Sequence, residues 1–210
     1  VGASSPAQLG YAGVFYQDMK QLQPNLTYKN LAIPGETTAS FLSRGSNKSQ
    51  LDRALAEIDA AKAAGKRVSP ITLTIGGNDV LAARNSSAAQ KQTTIDSFDT
   101  NFKKILGQLA AHTDIGNTTD LIVTTYYNPF ATSPGAQSQD ELAWIQRFND
   151  LIKQRASEYK ARVADFYTPV LGHELEYTWI SNGDIHPNVA GHAVLGGALW
   201  QMSGYTKEQS

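Results

Sequence analysis

Apolar residues along this chain fall into two rhythms, a three-to-four-residue spacing and short unbroken runs, and the two alternate. The small, turn-prone residues Val1 to Gly10 lead into a helical stretch at about Tyr11 to Gln21. After Pro24-Asn25, the spacing of Leu26, Tyr28 and Leu31 predicts a short strand, broken at Ile33-Pro34-Gly35-Glu36-Thr37-Thr38. Leu51, Leu55, Ile58 and Ala61 return to helical spacing, and Gly65 closes that helix ahead of Lys66-Arg67. Val68 to Ile75 is rich in β-branched residues and predicts a buried strand, with Pro70 tolerable near its start. It runs into Gly76-Gly77-Asn78-Asp79, after which Val80 to Ala83 resumes a helical texture. Phe98, Phe102, Ile105, Leu106 and Leu109 mark one face of an amphipathic helix, and Leu121 to Tyr127 predicts another buried strand. Asn128 to Gln139 reads as a loop, and Asp140 is expected to cap a helix whose Leu142, Ile145, Phe148, Leu151 and Ile152 share a face. Val163, Ala164 and Phe166 suggest a last short strand, and Asn188 to Leu195 opens a final helix.

Strand and helix alternate throughout, which predicts an α/β fold with a parallel sheet covered by helices on both sides. At 210 residues, one domain over 1–210 is the default, and no repeat or low-complexity tract argues otherwise.

Composition narrows the chemistry. Eighteen Lys and Arg against nineteen Asp and Glu leave a net charge of -1, with no basic run long enough to track a phosphate backbone, so nucleic acid is not an expected partner. The absence of cysteine excludes disulfides, thiolate nucleophiles and cysteine-ligated metals. No apolar run approaches the roughly 18 to 20 residues of a membrane span. The expectation is a soluble, extracytoplasmic protein whose leader, if it has one, lies before Val1. His112, His173 and His192 have no metal-ligand spacing, although His173-Glu174 and Glu176 form a small polar cluster; neither metal nor cofactor is expected. Tyr126, Tyr127, Phe130 and Trp144 flank the loop after Leu121 to Tyr127 and fit either a pocket lining or the core.

The candidate chemistry centres on Asn182-Gly183-Asp184-Ile185-His186-Pro187-Asn188. Gly183 lets the loop turn, Pro187 biases His186 away from helical geometry, and the helix beginning near Asn188 braces it. His186 is a candidate base and Asp184 a candidate acid; turn and capping contacts are the alternative reading. In a parallel sheet the loops that follow the strands open on one edge. The Gly35 loop, with backbone N–H groups able to meet an anion, the Asn78 loop and the His186 loop are therefore expected to converge on one site. A turn glycine and a helix cap are the structural alternatives for Gly35 and Asn78.

Together, Ala32-Ile33-Pro34-Gly35-Glu36-Thr37, Gly76-Gly77-Asn78-Asp79 and Asp184-Ile185-His186-Pro187-Asn188 resemble three of the four motif blocks of the SGNH/GDSL hydrolase family, named for Ser, Gly, Asn and His. The similarity runs to about Leu199. It implies a three-layer α/β/α sandwich with a central, mostly parallel sheet of the flavodoxin-like kind. It also implies hydrolysis of a small-molecule carboxylic ester by esterase- or lipase-type acyl-enzyme chemistry. In that scheme His186 takes the proton of a serine, Asp184 orients the ring, and the Gly35 N–H and Asn78 amide stabilise the oxyanion. Two departures stand out. The family's acid precedes its histidine by three residues, where this chain has Gly183, so a carbonyl between Trp179 and Gly183 is a second candidate for holding the ring. The chain also contains no Gly-Asp-Ser, and Ser4 and Ser5 fall beyond the family's serine position. The nucleophile and a first strand are therefore expected upstream of Val1. Acyl transfer to an alcohol and a serine-less binding module of the same fold are the alternatives.

Overall fold

The computed structural model describes residues 9–43, 45, 48–131 and 139–206. Its sheet has three strands in chain order, β1 (Ile71–Leu73), β2 (Leu121–Thr124) and β3 (Arg162–Ala164). β1 runs parallel to β2 in the register Ile71↔Leu121, Thr72↔Ile122, Leu73↔Val123. All four residues of β2 are buried, as an unbroken apolar run in a helix-covered parallel sheet requires. The protein is thus α/β, with a parallel three-stranded sheet flanked by helices.

The helices begin where their capping residues dictate. α1 covers Tyr11–Leu22, and α2, Thr38–Leu42, is closed by a capping box between Thr37 and Ser40. α3, Gln50–Ala63, starts on the same device with Ser49 and Asp52; its chain reverses at Gly65, whose φ of +69° suits a residue without Cβ. α4, Gly77–Ala82, follows β1, and the long α5, Ala88–His112, buries the predicted face of Phe98, Phe102, Ile105, Leu106 and Leu109. α6 covers Gln139–Glu158, α7 Glu174–Tyr177 and α8 Val189–Ser203, with a 3-10 turn at Ile180–Asn182. Asp140 does not cap α6, because the helix already includes Gln139; the carboxylate sits in the first turn, where the helix dipole favours it.

Two of the expected strands differ in form. Residues 23–33 carry no strand: Leu26 N–H turns back to Gln23 O, Tyr16 Oη donates to Leu26 O at 3.2 Å, and the Tyr28 ring stacks on Tyr16 at 5.1 Å. Leu26 and Tyr28 are tied to Tyr16 of α1 instead of to a ladder partner. The run after Leu121 leaves the sheet before Tyr127 for a different reason. Thr125 N–H still reaches Ala164 O, but both backbone groups of Tyr126 bond the side-chain amide of Asn149 at 2.8 Å. One buried asparagine takes the place of a neighbouring strand.

The chain forms two compact units, one of residues 31–123 and 151–162, the other of 1–30, 124–150 and 163–210. In the first, α5 packs against α2, α3 and α4, and Arg155 clasps the Asp99 carboxylate through Nε and Nη2. Arg155 holds Asp99 below the usual carboxylate range. In the second, α1 lies along α8, with Gly196 beneath Val14 and Tyr11 N–H donating to Nδ1 of the buried His192 at 3.2 Å.

Candidate active site

The loop carrying Asp184 and His186 is a short β-type clasp closed on both sides. Thr178 and Pro187 form an antiparallel bridge, flanked by Asn188 N–H to Tyr177 O at 3.0 Å and Trp179 N–H to His186 O at 2.9 Å. Thr178 and Pro187 are buried, whereas Trp179 and His186, one step along, face outward. Gly183 reverses the chain at φ +78°, letting Asp184 N–H return to Trp179 O at 3.2 Å. Asn188 then caps α8, its Oδ1 accepting from Gly191 N–H while its Nδ2 donates to Glu176 O at 2.7 Å. One side chain ties the end of the clasp to the element before it.

Within this clasp the Asp184 carboxylate accepts from His186 N–H at 3.0 Å and meets Nδ1 of the same imidazole. The shortened spacing is therefore enough, since the turn at Gly183 brings the carboxylate under its own second neighbour. The backbone bond from His186, then the ring contact, hold the Asp184 carboxyl below its ordinary value of 3.8. A carboxylate on Nδ1 favours the neutral tautomer protonated there, in which Nε2 holds the lone pair. The Trp179 and Ile180 carbonyls, candidates to hold the ring, accept instead from Asn182, Asp184 and Gly183 N–H.

A brace that the sequence did not single out for this purpose is Tyr127. Its Oη donates to the carbonyl of Ile185, the residue before His186, at 2.6 Å. Burial raises the phenol above its ordinary 10, so it stays a donor throughout the working pH range. Sequence alone placed Tyr127 as pocket lining or core; the signal that it braces the loop is a contact between residues 58 apart, which no local pattern carries.

The other two predicted motifs meet in the 31–123 unit. Asn78, the second residue of α4, donates from Nδ2 to Glu36 O at 2.9 Å. Asp79 accepts from Thr38 N–H at 2.9 Å and from Thr38 Oγ1 at 2.6 Å, and Asn101 Nδ2 donates to that same hydroxyl at 3.3 Å. Gly76, with φ +109°, occupies the N-cap position of α4, so Asn78 is not its cap. Gly35 has φ +77°, and the turn it makes delivers Glu36 to Asn78. Ser4 and Ser5 lie outside the described residues.

His173 pairs with Glu176 at 2.9 Å and stacks on Tyr177, and His112 pairs with Asp59. Among the described residues no group of three or more His, Cys, Asp or Glu could hold a metal ion, and no helix is long and apolar enough to cross a membrane. Phe130 and Trp144, also weighed as pocket lining, are buried and stack on one another at 6.1 Å.

Comparison with known proteins places this architecture. An acetylxylan esterase from Geobacillus stearothermophilus is similar over 94% of this chain and 82% of its own, with a TM-score of 0.60 and 16% identity. An alpha/beta hydrolase enzyme from the metagenome of Lake Arreo, Spain, is similar over 97% and 85%, with a TM-score of 0.63 and 18% identity. At those identities the likeness is one of fold. No curated protein sequence matches the chain. The profile of the GDSL-like Lipase/Acylhydrolase family matches residues 2–194, nearly the whole length and both units, and the chain belongs to that family.

Proposed function

We propose that this protein cleaves carboxylic esters by a serine acyl-enzyme mechanism in which His186 is the base, and that residues 1–210 act as one catalytic domain. The pairing of Asp184 with Nδ1 of His186 carries the reading, because it leaves Nε2 as the acceptor. His186 Nε2 takes the proton of the attacking serine, which belongs to the segment expected before Val1. Asp184 keeps the ring in the correct tautomer and offsets the imidazolium charge. The Gly35 backbone N–H and the Asn78 amide serve as oxyanion donors. An amide nitrogen carries two hydrogens, so the bond from Asn78 to Glu36 O fixes the group's orientation and leaves the second N–H to donate. Such fixed neutral donors are worth on the order of 3 kcal/mol each in the transition state.

The test uses the full-length protein with a panel of p-nitrophenyl esters, acetylated xylosides and a fluorophosphonate probe. The xylosides are included because a neighbour of similar fold is an acetylxylan esterase. Hydrolysis with labelling of a serine before Val1 is the expected result. Ester turnover with no serine labelled, or binding without turnover, would overturn it, and product divided between acid and a new ester would identify a transferase.

Two substitutions examine the support of His186. Asp184→Asn should lower kcat by at least about a hundredfold, since an amide stabilises the wrong tautomer; a loss of only a few fold in steady-state kinetics would remove Asp184 from the mechanism. The depressed carboxyl also sets a sign. The Asp184 contacts are fully present above the ordinary carboxylate range and are lost only as pH falls through a folded-state value below 3.8. Tyr127→Phe removes the bond to Ile185 O and should reduce kcat about tenfold with KM for small esters within about twofold, because it loosens the loop and not the substrate. Equal effects on kcat and KM would show that Tyr127 touches substrate.

A further inference from the structure

The clasp that orients His186 also fixes an indole beside it. Trp179 and His186 are the directly opposed pair next to the Thr178–Pro187 bridge, joined by the 2.9 Å bond from Trp179 N–H to His186 O. Opposed residues on neighbouring strands project from the same face, with Cβ atoms about 5 Å apart. Thr178 is 2% exposed and Pro187 is buried, so the inward face of the clasp belongs to that pair and the outward face to Trp179 and His186. Trp179 keeps 40% of its surface in solvent, which is unusual for the largest apolar side chain, and its carbonyl is engaged by Asn182 and Asp184 N–H. The indole is therefore exposed on a backbone held at both its N–H and its C=O.

Resting on the hydrolase reading above, the chemistry of His186 determines which part of the substrate such a side chain meets. When the tetrahedral adduct collapses, the carbonyl re-forms, the bond to the alcohol oxygen breaks, and the departing electron pair takes the proton from Nε2. The alcohol half of the ester must then sit at the imidazole, whereas the acyl group remains on the serine. We propose that Trp179 forms one wall of the leaving-alcohol site and selects esters whose alcohol presents a flat ring face, a pyranose or an aromatic ring, over esters of small acyclic alcohols. A planar indole loses little conformational freedom on binding and covers a ring face with dispersion contacts that an ethyl group cannot match.

The experiment compares full-length wild type, Trp179→Ala and Trp179→Phe on three esters of one acid, ethyl acetate, phenyl acetate and a monoacetylated methyl xylopyranoside. Each variant is compared with wild type on the same ester, so intrinsic leaving-group reactivity cancels. Trp179→Ala should lower kcat/KM about tenfold on the ring esters and less than about twofold on ethyl acetate, with Trp179→Phe recovering most of the loss. Loss on only one ring ester would narrow the class to pyranose or to aromatic alcohols. Equal loss on all three esters, or none on the ring esters, would overturn the proposal. Ligand-detected NMR with methyl xylopyranoside and phenol supplies a readout independent of turnover. Ring-alcohol binding that Trp179→Ala abolishes in a protein without esterase activity would sink the hydrolase reading and keep the platform. Binding unaffected by Trp179→Ala would sink the platform. Melting temperatures within a few degrees of wild type confirm that the exposed substitution leaves the fold intact.

Discussion

His186→Ala is expected to cut ester hydrolysis by about 10⁴-fold in kcat while leaving the melting temperature close to that of wild type. The two halves of that expectation have separate causes. In the proposed mechanism the imidazole moves a proton in both acylation and deacylation, so its loss removes general-base and general-acid catalysis together. Its contribution to the folded state is small by comparison, because the side chain is 40% exposed and its Asp184 partner 48% exposed, and exposed pairs add little stability. The clasp is held by the backbone bonds of Trp179 and Asn188 and by the Asn188 cap, none of which passes through the ring. Steady-state kinetics beside a thermal melt check both halves. A variant retaining more than about one-tenth of wild-type kcat would remove His186 from the chemistry.

Gly191→Ala should do the opposite, damaging the fold first and activity through it. A Cβ at Gly191 would lie 1.9 Å from the carbonyl oxygen of Tyr177 and 3.1 Å from Pro187 Cβ, and the first of these is backbone that cannot swing aside. Tyr177 O is also the acceptor for Asn188 N–H, so relief of the clash must shift the start of α8 away from the clasp and stretch that bond. Overpacking of this kind costs about 1 to 3 kcal/mol, and the loss of the capping bond to Gly191 N–H adds about 1 kcal/mol. A denaturant titration should show the unfolding free energy falling by an amount in that range, with kcat reduced even where the protein remains folded. Unchanged stability would mean that α8 can slide without cost, contrary to its packing along α1.

These two residues also mark how far local sequence reaches into the structure. The turn that holds Asp184 to His186 and the helix start at Asn188 were legible because acid, imidazole, proline and the first helical positions lie close together in the chain, and local turn chemistry governs all of them, whereas the cap that Asn188 forms came only with the structure. The buried face of α5 was legible for a similar reason, since one long helix repeats its period often enough to be unambiguous. Gly191 was read only as part of a helix start, because its need to lack a Cβ comes from a carbonyl in a different element. The alternation of Leu26, Tyr28 and Leu31 misled because it records which residues seek burial and not what covers them; here Tyr16 on α1 holds Leu26 and Tyr28. Asn149 was equally invisible as the partner of Tyr126, its identity meaningful only once the two are side by side. Why Asp184 reaches the ring at a spacing one residue short became plain only with the left-handed turn at Gly183.

The close approach of α1 and α8, with Gly196 set beneath Val14, has a consequence for how the chain assembles on the ribosome. Nearly all of the 31–123 unit is synthesised as one stretch, and its helices α2 to α5 can pack as they emerge. α1 leaves the exit tunnel well before the helix it lies against, because the whole of residues 23–188 is made between them. Until then its apolar face, with Phe15 and Met19, has no permanent partner and is exposed to chaperones and to neighbouring nascent chains. Closing so long a loop adds little to the equilibrium cost, which grows only with the logarithm of length, but it delays the completion of the His186-bearing unit until α8 has been made. The clasp of Asp184 and His186, which α8 braces through Asn188, would then become rigid only after that helix has emerged, later than the packing of the 31–123 stretch.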